Sequence, residues 1–144
     1  MDQHIPILVV SSEFNNRFAL RDILSREGWE TICTSTVSEC EELFNSQNIA
    51  IVFCERDLTD GTYRDILTMT RSRRRSVRLV VTSRLADWGE YLEALRDGAF
   101  DLIASPSQRV DVVRVIDQAQ REDQIAGAPV PAGEARAASG GVLA

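Results

Sequence analysis

Lysine is absent from this chain: all sixteen basic residues are arginine, set against 22 Asp and Glu for a net charge of -6. No function that rests on a lysine ammonium is open to it. The acidic balance argues against direct nucleic-acid binding, which is driven by a basic surface neutralising phosphates. Histidine occurs once, as His4, ahead of the first expected strand, and reads as a terminal residue and not as a catalytic base. Cysteine occurs three times, an odd number without metal-ligand spacing. Cys33, Cys40 and Cys54 each fall inside an element that reads as buried, so they are expected as small core residues and not as zinc ligands or a disulfide. Long apolar runs are missing too, so no segment approaches the span of a bilayer. MDQHIP carries no basic segment leading into an apolar stretch and a cleavage site, so the expected location is the cytoplasm.

What is present is the composition of a globular domain, with 44% apolar and 26% charged residues in 144. That length buries a core without metal or disulfide staples. Short apolar runs alternate five times with longer segments of helical period: IPILVV (5–10), ETICTS (30–35), IAIVFC (49–54), VRLVVT (77–82) and FDLIAS (100–105). Such alternation specifies an α/β fold, a parallel sheet with helices on both faces. The third and fourth runs, nearly continuous in apolar residues, read as central strands.

Start and stop signals frame the helices. Leu20, Ile23 and Leu24 form a stripe that ends at Gly28, a good left-handed residue after a helix. Thr36 with Glu39, and Asp87 with Glu90, are capping boxes. The second precedes an expected packing stripe of Trp88, Leu92 and Leu95, with Tyr91 also read as packing, and Gly98 closes that helix. Ser105, Pro106 and Gln108 predict a third start with proline at the first helical position, ahead of Val112, Ile116 and Ala119. Arg71, Arg73, Arg74 and Arg75 cluster between a predicted helix and strand, where charges are usually solvated; an anion or partner site is the alternative. Residues 1–123 are expected as the domain. Residues 124–144, rich in Ala, Gly and Pro without a period, are expected as a disordered tail.

In a doubly wound sheet of order 2-1-3-4-5 the ligand site lies beyond the C-terminal strand ends. Those ends read ILVVSSE (7–13), VFCERDLTDG (52–61), LVVTS (79–83) and DGAFDLIASP (97–106). With REGWE (26–30), they resemble the CheY-like receiver domains of response regulators, over residues 5 to about 121. The resemblance implies a (βα)5, flavodoxin-like five-stranded sheet and a role in two-component or phosphorelay signalling. In that family an aspartate ending the third strand is phosphorylated with Mg²⁺ held by it and by an acidic pair after the first strand. A Ser/Thr after the fourth strand and a lysine after the fifth complete the pocket.

Position by position, the pattern here is a degenerate, pseudo-receiver version. Ser11 and Ser12 stand where the acidic pair would be, followed by Glu13. Hydroxyls are poor ligands for a hard cation that wants carboxylate oxygens. Counting back six residues from Gly61, as the family pattern requires, gives Glu55 as the acceptor position. Ser83 keeps the hydroxyl, Ser105 replaces the lysine and Leu102 replaces the switch aromatic. The surviving picture is a hydroxyl-lined pocket in which Ser11, Ser12, Ser83 and Ser105 surround the Glu55 carboxylate, with no metal and no cofactor. Glu55 is then either a permanent charge mimic or the residue of lost activity.

The alternatives are a working phospho-acceptor that uses Asp57, or Asp60, with a displaced metal, and a flavodoxin-like nucleotide- or flavin-binding enzyme. The second would need a phosphate-cradling loop, and SSEFNN has no glycine. A protein partner is expected, whether a histidine kinase, a regulator or a second copy. The face of the fourth helix, fifth strand and fifth helix, which receivers commonly use for pairing, would carry Trp88, Tyr91, Arg96 and Arg109.

Overall fold

The computed structural model describes residues 5–73 and 76–127, the stretch 123–127 by backbone alone. His4, Arg74, Arg75 and residues 128–144 lie outside the described residues. In chain order the elements are β1 (Ile7–Val10), α1 (Phe14–Arg26), β2 (Thr31–Thr34), α2 (Val37–Ser46) and β3 (Ile51–Glu55). A short antiparallel hairpin follows, β4 (Asp57–Leu58) with β5 (Gly61–Thr62). Then come α3 (Tyr63–Arg71), β6 (Arg78–Ser83), α4 (Trp88–Asp97), β7 (Asp101–Ala104) and α5 (Arg109–Gly127). Five parallel strands form one sheet in the order β2-β1-β3-β6-β7, the expected 2-1-3-4-5 arrangement.

Both faces of this sheet are covered, and the period of two along each strand divides the core. Leu8, Val10, Val52, Cys54, Leu79 and Val81 face α2 and α3 with Cys40, Phe44 and Ile66. Ile7, Val9, Ile51, Phe53 and Val80 face α1 and α5 with Leu20, Leu24, Val112 and Ile116. Trp29, 6% exposed, belongs to this second layer. Strands buried on both faces need apolar residues at every position, which is why the third and fourth runs are continuous.

Several helix ends follow the sequence signals. Gly28 (φ +88°) follows α1 and Gly98 (φ +109°) caps α4, both in the left-handed region that glycine enters without steric cost. Thr36 Oγ1 accepts from Glu39 N–H at 3.3 Å, while the Glu39 carboxylate reaches back to Ser35 N–H at 3.1 Å, one residue earlier than a reciprocal box requires. A full box closes α3, where Thr62 accepts at the helix start and Asp65 Oδ2 takes Thr62 N–H at 2.9 Å. Gly61 precedes it because a Cβ there would collide with Asp65 Oδ2 and Val37 Cγ2.

Four expectations are corrected. Pro106 does not begin α5: the chain first closes a turn in which Ser107 Oγ donates to Ala104 O at 3.1 Å. Gln108 O then accepts the first helical N–H groups, and the helix starts at Arg109. The Ser105–Pro106 peptide is cis. Second, α5 continues to Gly127, past the expected boundary at 123, because no breaker intervenes before Gly127 and Pro129. Third, Cys33 is exposed, since β2 is an edge strand, whereas Cys40 and Cys54 are buried. Fourth, Trp88, Leu92 and Leu95 point outward, and α4 buries only Ala94.

Candidate functional site

The C-terminal ends of β1, β3 and β6 converge on one carboxylate. Glu55 closes β3 in register with Thr82 of β6 and is 8% exposed. Its Oε1 accepts from Ser11 Oγ at 3.1 Å and from Asn16 Nδ2 at 2.6 Å. Burial raises the Glu55 pKa above the ordinary carboxylate value; the Ser11 and Asn16 hydrogen bonds and Arg84 pull it down, and Glu13 pushes it up. Asn16 sits in the first turn of α1, and its amide also donates to Thr82 Oγ1 at 3.3 Å.

Of the four serines expected around Glu55, the structure brings one to it. Ser11 is held in place by accepting Glu13 N–H at 3.1 Å. Ser12 Oγ instead donates to Ser35 O at 3.2 Å and accepts Thr59 N–H at 3.2 Å, tying the hairpin to the loop after β2. Ser83 Oγ donates to Glu90 Oε1 at 2.6 Å, so α4 captures the hydroxyl that was expected to face Glu55. Ser105 is buried, and its N–H continues the ladder to Ser83 O at 2.9 Å. Leu102 is buried among the apolar side chains of the α2–α3–α4 layer. Asn16 was the missed partner, and it had a signal: it stands four residues before Leu20 and eight before Leu24, on the buried face of α1.

Asp57 is exposed in the hairpin, with Arg56 Nη1 2.9 Å from its Oδ2. Asp60 is committed elsewhere, since its carboxylate accepts Val37 N–H at 2.8 Å and Ser38 N–H at 3.2 Å at the start of α2. Above Glu55 opens a cleft of about 310 Å³ lined by Glu13, Arg56, Asp57, Ser83, Arg84 and Glu90 among others. Across its mouth Arg84 Nη2 meets Glu13 Oε1 at 2.6 Å.

The resemblance implies Mg²⁺ at this place, and the residues present do not fit it. Ser11 and Ser12 are engaged by protein partners, and Glu13 and Asp57 are paired with arginines. Among the described residues no group of His, Cys, Asp and Glu is gathered that could hold a metal ion.

On the expected partner face, Trp88 is 70% exposed and stacks on Tyr91 with ring centroids 5.3 Å apart. Arg96 is exposed on the same helix. Arg109 does not join them: its Nε donates to Glu27 Oε2 at 2.8 Å, which turns it toward the end of α1. Within the arginine cluster, Arg71 Nη2 donates to Asp97 O at 2.7 Å and Arg73 Nη1 to Asn45 Oδ1 at 2.9 Å, so both serve as internal ties.

No protein-family model matches the chain, and no curated protein matches it in sequence. Solved structures do. The CheY-like receiver domain from Methanospirillum hungatei JF-1 superposes with a TM-score of 0.74 at 20% identity, over 85% of this chain and 98% of that one. The chain has the receiver fold. A response-regulator receiver domain from Clostridium thermocellum gives 0.73 at 20% identity, over 83% and 97% of the two chains. The beryllofluoride-activated receiver domain dimer of NtrC4 gives 0.74 at 19%, over 81% and 97%. Among the described residues of this receiver fold, no helix is long and apolar enough to cross a membrane.

Proposed function

We propose that this chain is a receiver-like signalling domain of a two-component or phosphorelay system, acting in the cytoplasm through protein contacts and not as an enzyme. Aspartyl phosphorylation with Mg²⁺ is not part of its action. The observation that carries this is the Glu55 carboxylate at the end of β3, where the resemblance expects the acceptor, bonded by Ser11 Oγ and Asn16 Nδ2. A receiver acceptor works beside a bound metal. Here two neutral donors converge on Glu55 Oε1 and offset part of the cost of burying the charge without a cation. Glu55 thereby serves as a permanent negative charge where a phosphoryl group would otherwise bring one.

The deciding experiment is intact mass after incubation with Mg²⁺ and acetyl phosphate, with Glu55→Gln and Asp57→Asn in parallel. No increment of about 80 Da is expected in any of them. An increment that Asp57→Asn abolishes would overturn the proposal and make the chain a working receiver that uses Asp57.

The partner surface proposed for it is the outer side of α4, where Trp88, Leu92, Leu95 and Arg96 are exposed. An exposed tryptophan among leucines is the composition of an interface centre. The partner is a second copy, a histidine kinase or a regulator. Sedimentation of the parent against Trp88→Ala tests the first of these.

A further inference from the structure

α4 differs from the other helices in what holds it. α1 buries Leu20 and Leu24, α2 buries Cys40 and Phe44, α3 buries Tyr63, Ile66 and Leu67, and α5 buries Val112, Val115 and Ile116. α4 buries one alanine and packs Tyr91 partly against the same core, while Trp88, Leu92 and Leu95 face outward. The rest of its inward side is acidic. Glu90, Glu93 and Asp97, three and four residues apart, lie on one side of the helix.

Each of these acids meets an arginine of the body. Arg56 Nε lies 3.4 Å from Glu90 Oε2, and its Nη2 lies 3.6 Å from Glu93 Oε1. Arg64, in the first turn of α3, pairs with Glu93 at 2.6 Å and with Asp97 at 2.8 Å. Tyr63 OH donates to Asp97 Oδ2 at 2.6 Å, and Arg71 holds the backbone carbonyl of Asp97. At the cleft end, Glu90 Oε1 takes the Ser83 hydroxyl and Ala86 N–H, the latter at 3.0 Å. Ala86 has φ +48°, a left-handed conformation that a Cβ disfavours, so the turn into α4 is strained as well.

We infer that α4 is an electrostatic latch: the Glu90–Glu93–Asp97 face clamped by Arg56 and Arg64 keeps the helix seated, and screening or capture of those arginines releases it. Arg56 and Ser83 both line the strand-end cleft, so the latch begins where a ligand or partner group would enter. Half-exposed ion pairs weaken with salt, because the screening length falls from about 20 Å near 20 mM to about 4 Å near 500 mM. Apolar burial does not weaken in this way. The helix that depends on charge should therefore be the one whose opening follows ionic strength. This inference does not depend on the proposed signalling role, since it is read from the motion of one helix.

The test is amide hydrogen exchange of the full chain at about 20 mM and about 500 mM NaCl, followed in peptides covering α4 and, as internal references, α2 and α5. Exchange across 88–97 is expected to rise roughly five-fold at high salt while the reference helices change little. Glu93→Gln, which removes the acid shared by both arginines, should exchange faster than the parent at low salt and show a smaller salt response. Equal rates at both salt concentrations in the parent, a comparison that needs no substitution, would overturn the latch, as would an unchanged salt response in Glu93→Gln.

Discussion

Asn16 Nδ2 lies 2.6 Å from Glu55 Oε1, while the other atom of the same amide, Oδ1, is buried with no hydrogen-bond partner. An amide left with an unsatisfied acceptor persists only where its donor half is needed. Here the donor half serves a buried carboxylate and joins α1 to the ends of β3 and β6. Asn16→Ala removes that donor and leaves Ser11 alone on Glu55. A loss of about 1–3 kcal/mol is expected by urea denaturation, and a loss under about 0.5 kcal/mol would mean that water serves Glu55 equally well.

Glu55 has a second consequence, in pH. Burial raises its folded-state pKa, so between the ordinary carboxylate value and the raised one the folded protein binds the proton more tightly than the unfolded chain does. The stabilising contribution of that proton is present below this window and is lost as pH rises through it. Gln at 55 keeps an acceptor oxygen for Ser11 and Asn16 and has no charge to desolvate. Glu55→Gln should therefore be more stable than the parent at neutral pH, with the difference vanishing toward acid. Melting temperatures of the two proteins across pH 3 to 8 check this, and a difference that grows toward acid would contradict it.

Phe53 and Trp88 should behave oppositely when truncated. Phe53 is fully buried in β3, and Phe53→Ala is expected to cost about 3–5 kcal/mol through lost burial and a cavity. Trp88 stands in solvent on α4, and Trp88→Ala should change stability by no more than about 0.5 kcal/mol. If Trp88→Ala nonetheless abolishes self-association in sedimentation, the outer side of α4 is the contact surface. Association that survives the change would move the dimer elsewhere.

Gly61 is excluded from carrying a side chain by packing. Its Cβ would meet the carboxylate that closes the α3 capping box and the Val37 methyl of α2. Gly61→Ala should cost about 1–3 kcal/mol by overpacking. The added Asp65→Ala, which clears the space, should recover part of that loss in the same denaturation experiment.

The sheet was legible because its strands are buried on both sides and need apolar residues throughout, and the Gly61 spacing set the register that puts Glu55 at the strand end. The partners of Glu55 were harder to read. Ser12, Ser83 and Ser105 stand near the right strand ends, yet backbone carbonyls and Glu90 claim two of their hydroxyls, and one-dimensional proximity carries no direction. Asn16 was passed over because a polar residue four before Leu20 looks like a surface position until its buried neighbours are known. α4 failed for a related reason. Its pattern has an apolar side and an acidic side, and periodicity alone does not say which faces inward when arginines wait in the body to receive the acids.

The two tryptophans sit in opposite surroundings, Trp29 buried between α1 and α5 and Trp88 in solvent against Tyr91. Their emission is accordingly separable, a blue-shifted component from the interior and a red-shifted, quencher-accessible one from α4. Iodide should extinguish the second and spare the first. The protein thus contains its own pair of optical gauges, one reading the integrity of the whole fold and the other the surroundings of a single helix, without a label being attached.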